Sequence, residues 1–191
     1  MIPTLPPRTA AKTYPPLVSQ TELETYLTPL YRAGWWISET HGHLKPSKEG
    51  NPVTVPVSQM SRQYELKSFK SAIQFVNDLA AICAEERHHP IFSVDFNKVS
   101  VHVFTHTAHP PPTSKPTSQP HSIPGITSRD LRFATRLESR FRSYLEAGNA
   151  VQPDVGSKGG EMWQPVSVHE LHIPIRIEGS ETLEAWQCPY I

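Results

Sequence analysis

Apolar positions recur at helical spacing in three stretches of this chain, and short strand-like runs lie between them. After Ser19, the residues Leu23, Tyr26, Leu27, Leu30 and Tyr31 fall on one helical face. Ser19 and Glu22 have the spacing of a capping box, and Gly34 stops the run. A second helix is expected after Ser68. Its buried stripe is Phe69, Ala72, Ile73, Val76, Leu79, Ala80 and Cys83, and it ends near Glu86. A third opens at Thr127 as N-cap with Asp130 at N3, where a carboxylate suits the positive end of the helix dipole. Leu131, Ala134, Leu137, Phe141 and Leu145 form its buried stripe, while Arg132, Arg136 and Arg140 keep the other side wet.

The strand-like runs are WWISE, MSRQYEL, IFSVDF and VSVHVFTH. The last two are separated so that a tight hairpin turning at Asn97-Lys98 is expected. Along the return strand Val99, Val101, Val103 and Thr105 point one way, and Ser100, His102, Phe104 and His106 the other. The order is α-β-β-α-β-β-α. It predicts a two-layer α+β domain: a four-stranded antiparallel sheet with three helices on one face. The sheet's second face is left to meet water, a ligand or another subunit.

Twenty prolines mark what lies outside this frame. Residues 1–18 read as a disordered or extended Pro-rich tail, and the domain as 19–146. Stretches 41–58 and 107–125 read as insertions, a loop and a low-complexity excursion. Residues 147–191 read as an extension whose strand, interrupted by Pro174, is confined to an edge. That extension is a candidate seat for a protein partner.

Composition narrows the function. The 191 residues carry zero formal net charge, which argues against a nucleic-acid binder. No apolar run approaches transmembrane length and no secretory h-region opens the chain, so no membrane segment is expected. Arg8 and Lys12 without acidic neighbours have a transit-peptide flavour, but the prolines oppose an amphipathic targeting helix. Cytoplasm or nucleus is the expected location, with an organelle as the alternative. Cys83 and Cys188 are too few for a disulfide framework or a thiolate zinc site.

The candidate chemistry is histidine. His88 and His89 sit at a helix end, and Pro90 fixes the exit direction. The hairpin then runs out and returns, bringing His106 back beside them. Imidazoles exchange protons near neutral pH, so such a cluster can both donate and accept. A histidine-bound metal is the rival use, but no Asp or Glu spacing completes a zinc motif. His41, His43, His109, His121, His169 and His172 read as ordinary loop or surface histidines.

These residues resemble the pterin-4a-carbinolamine dehydratases. The resemblance rests on HHP at 88–90, Phe96 followed by NKV, and His106 with nine residues between it and Phe96. It rests also on GITSRDLRFATRLE, AGWW at 33–36 and FKSAIQFVNDLAAICAEE, and it covers roughly 19–146. The family implies dehydration of 4a-hydroxytetrahydropterin to quinonoid dihydropterin in tetrahydrobiopterin recycling, with no cofactor. Carried over by position, His88, His89 and His106 match its catalytic histidines, and Pro90, Thr105, Arg129 and Asp130 match its substrate side. Family members form dimers or tetramers, and some bind a transcription factor's dimerisation domain. A non-catalytic scaffold of the same fold is therefore the alternative.

Overall fold

The computed structural model describes residues 4–9, 14–44, 53–109 and 122–152, and the backbone of two short strands beyond them. Three helical elements and a four-stranded sheet form the body. Helix α1 has three parts: an α turn Gln20–Glu22, a wide π-helical stretch Leu23–Leu27, and an α segment Thr28–Arg32. Pro29, which has no N–H for the preceding turn, stands where the wide stretch gives way. Helix α2 is Phe69–Glu86 and α3 is Ser128–Glu146. The capping boxes expected at Ser19–Glu22 and Thr127–Asp130 both form, and Ser68 caps α2.

The sheet order is β1 (Trp36–Leu44), β2 (Val53–Glu65), β4 (Lys98–Val103), β3 (Ile91–Asp95), all antiparallel. The helices cover one face. Met60, Tyr64, Val99, Val101 and Val103 of the sheet meet Leu27, Leu30, Phe75, Leu79, Leu131, Leu137 and Phe141 of the helices in one core.

Four expectations change. The 41–58 stretch is not a loop over its described part: residues 41–44 and 53–58 continue β1 and β2 as one long hairpin. The reason is a second, smaller core of Leu44, Val55, Val57, Phe104 and Ile123, which lies far away in sequence. Alternation puts Val55 and Val57 on the face opposite Met60 and Tyr64, so this cluster covers one end of the sheet's second face. The excursion after His106 likewise begins and ends in strand: β5 (Thr105–Ala108) pairs with β6 (Ile123–Gly125), and residues 110–121 lie outside the described ones. The β3–β4 turn is Phe96-Asn97, one residue earlier than expected, because Asp95 pairs with Lys98. Asn97 is held there by Leu66, whose N–H donates to its carbonyl and whose carbonyl accepts from its side-chain amide.

The fourth change concerns residues 1–18. Over the described residues 4–9 and 14–18 this segment is extended but packed on the domain, with Pro6, Pro15 and Val18 buried. In the C-terminal extension, β7 (Ile173–Ile175) pairs with β8 (Glu184–Trp186) in a two-stranded ribbon, where Pro174 sits on a strand with only one neighbour. The rest of 153–191, with any partner it takes, lies outside the described residues.

Candidate active site

The end of α2 delivers the first histidine. Arg87 adopts the left-handed region (φ 52°), and the His88 N–H turns back to the Cys83 carbonyl at 3.2 Å. This is a helix C-cap made without the usual glycine, at a cost of about 1–2 kcal/mol. The turn buries His88. Its Nε2 lies 2.6 Å from Oδ1 of Asp130, which is fully buried. The Phe133 ring stands edge-on to the imidazole at 6.0 Å.

Asp130 divides two tasks between its oxygens. Oδ2 accepts from the Thr127 N–H (2.7 Å), the Thr127 hydroxyl (3.0 Å) and the Thr105 hydroxyl (2.9 Å). That oxygen caps α3 and ties in β5. Oδ1 faces His88. Asp130 is thus the N3 member of a capping box through one oxygen, and meets His88 through the other.

His106 follows Thr105 on β5 and is exposed, its ring edge-on to Phe104 at 4.5 Å. Partial burial of the ring pushes its titration below the ordinary value. His88 and His43 push in the same direction, and Asp130 opposes them. His106 is thus biased toward its neutral form and lies within electrostatic reach of His88, Asp130 and His43. His89 stands exposed, one residue beyond the buried pair, and Pro90 is half-buried ahead of β3. Arg129 joins through its backbone, its N–H donating to the Thr127 hydroxyl at 3.2 Å.

The structure therefore bonds His88, Thr105 and Asp130 directly and brings His106 close. His102, expected on the same strand face as His106, belongs elsewhere. The ladder breaks at Phe104, and His102 Nδ1 is 2.8 Å from the Ser61 hydroxyl on the sheet's second face. Among the described residues, no group of three or more His, Cys, Asp or Glu is placed to hold a metal ion. Also among them, no helix is long and apolar enough to cross a membrane. His43, expected to be an ordinary histidine, stands on the hairpin extension of β1, and its charge is the smallest of those that act on His106.

A family profile described as pterin 4 alpha carbinolamine dehydratase matches residues 16–110. A Herpetosiphon aurantiacus protein is 40% identical over 88 residues, which are 46% of this chain and 76% of that protein. A Hahella chejuensis protein is 27% identical over 143 residues, covering 75% of this chain and all of that protein. Both carry the name pterin-4-alpha-carbinolamine dehydratase provisionally. A Drosophila melanogaster protein of the same name is 26% identical over 122 residues, 64% of this chain; the match spans 47% of the fly protein.

Proposed function

This chain belongs to the pterin-4a-carbinolamine dehydratase family, and on that premise we propose that it dehydrates a 4a-hydroxytetrahydropterin, by histidine acid–base catalysis and without a metal. The observation that supports this best is the buried His88–Asp130 pair with neutral His106 beside it.

The reaction breaks the C4a–O bond, releases water and leaves a carbon–nitrogen double bond in the ring. An acid must protonate the departing hydroxyl, and a base must take the proton of a ring N–H. His106 starts neutral and suits the base. His89, exposed at the same corner, suits the acid. His88 is pinned by Asp130, so its part is to position the corner and share the proton load. The dehydrated product is the substrate expected of a reductase in tetrahydrobiopterin recycling. An exposed apolar pair on edge strand β3, Ile91 and Phe92 at 58% and 44%, supports a homo-oligomer built through that edge.

The test is a dehydratase assay with the carbinolamine generated in situ and its loss followed by ultraviolet absorbance. Acceleration by the wild type that disappears in His89→Ala and His106→Ala is the expected result. A wild type no faster than buffer would sink the reading and favour the scaffold alternative.

A further inference from the structure

The extended segment ahead of α1 touches, in turn, each element that carries a site residue. Pro-rich backbone of this kind makes no internal hydrogen bonds and leaves its carbonyls open. The Pro6 carbonyl accepts from Arg132 Nη1 on α3 at 2.6 Å. Arg8 Nη2 donates to the Glu85 carbonyl at 2.7 Å, one of the carbonyls left unpaired in the last turn of α2. Its Nε lies 3.7 Å from the Glu86 carboxylate, which Arg132 (2.8 Å) and Arg136 (2.7 Å) also hold. The Thr9 hydroxyl is 3.2 Å from the Ser128 hydroxyl in the first turn of α3.

Further along, the Pro15 carbonyl accepts from the His109 N–H just beyond β5 (2.7 Å), and the Val18 N–H donates to the Ile126 carbonyl (2.9 Å). Leu17 bridges Thr127 itself and lies so close over Gly125 that a Cβ there would stand 2.5 Å from its Cδ2. Residues 4–9 and 14–18 of this strap thus tie together the end of α2, which bears His88, the start of α3, which bears Asp130, and the β5–β6 ribbon, which bears Thr105 and His106.

The geometry points to Arg8 and Thr9 as positioning residues. The strap holds the two helix ends in register and so sets the His88–Asp130 distance on which the proposed dehydratase depends. The inference rests on that reading for its kinetic consequence but not for its structural one. Arg8 is the sharper of the two, because it reaches α2 while the rest of the strap is seated on α3 and β5. Arg8 and Thr9 bond the ends of the two helices, so their effect acts through the histidine and the carboxylate.

The experiment uses the full chain carrying Arg8→Ala with Thr9→Val, beside Arg8→Lys. In the double variant, amide hydrogen exchange at His88 and Asp130 is expected to speed several-fold while Leu79, in the middle of α2, keeps its rate. The rate constant kcat is expected to fall roughly 10-fold with KM nearly unchanged. Arg8→Lys restores part of both, since an ammonium still reaches the Glu85 carbonyl. Unchanged exchange and unchanged kcat overturn the inference. So does acceleration shared equally by Leu79, which would mean the strap merely stabilises the fold. If the wild type has no dehydratase activity, the proposed function fails, and the exchange rates alone decide whether the strap sets the site.

Discussion

Asp130 and Glu138 are acidic side chains about two turns apart on α3, both withdrawn from water, and they do opposite things. Glu138 accepts from the Trp35 indole at 3.0 Å and from Arg62 Nε at 3.2 Å. The Arg62 guanidinium lies over the Tyr64 ring at 4.9 Å and the Phe141 ring at 5.8 Å, so the pair is walled by aromatics. Burial above all raises the Glu138 titration, with Arg62 opposing. That cluster leads nowhere. The Asp130 hub holds His88 and lies within electrostatic reach of exposed His106. A buried carboxylate becomes chemistry only when a run of proton-carrying groups connects it to a surface where substrate can sit.

The largest expected effect tests that difference directly. His106→Ala should cost about 100-fold or more in kcat, the usual worth of a positioned acid or base. Glu138→Gln should leave kcat per folded molecule within about twofold. Comparable losses in the two variants would erase the distinction.

Next comes stability. Arg62→Ala strands Glu138 as an unpaired buried acid and should destabilise the domain by roughly 3–5 kcal/mol in urea unfolding. Replacing both partners by Met and Leu should recover most of that loss, and failure to recover it would mean the pair does more than fill the core.

Thr127→Ala should cost about 1–2 kcal/mol as a lost N-cap. It should also lower kcat, because it frees the oxygen of Asp130 that anchors the hub. Thr127→Ser should keep both. Loss of stability with kcat intact would separate the cap from the site.

Smallest are the pH effects, where the sign is the test. Glu138 titrates above its ordinary value of 4.5, so its contribution is full below that value and is lost as pH rises through the shifted one. The wild type should therefore gain stability relative to Glu138→Gln as pH falls. Glu86 behaves oppositely: burial alone would raise it, but Arg132 and Arg136 overcome that and hold it low. Its contribution is present above 4.5 and lost as pH falls. For catalysis, His43 is one of the groups that lower His106. His43→Ala should move the acid limb of the kcat profile upward, toward the ordinary histidine value. An unmoved limb would detach His43 from the site.

Much of this molecule was legible along the chain because its signals are local. A Ser or Thr three residues ahead of an acid makes a cap wherever a helix follows. A 3.6-residue stripe buries one face whatever it meets. The HHP corner and the return of His106 follow from a hairpin's connectivity, so candidate site residues could be proposed from sequence. What could not be read depends on distant contacts. The hairpin stretch 41–58 looked like a loop because its second core, Phe104 and Ile123, lies far along the chain. The strap looked free because its partners are a guanidinium on α3 and a helix-end carbonyl on α2. Arg87 and Phe96 both stand at positive φ without being glycine, which no local preference predicts.

The sequence by itself determined the helices, their caps, the antiparallel sheet and the choice of three histidines as candidates. Only the tertiary structure decided that Asp130 meets His88, that His102 turns to the other face, and that the strap closes over both helix ends. The first set depends on neighbours a few residues apart, whose geometry the backbone imposes. The second depends on which surfaces can bury one another, and that is settled only when the whole chain has packed.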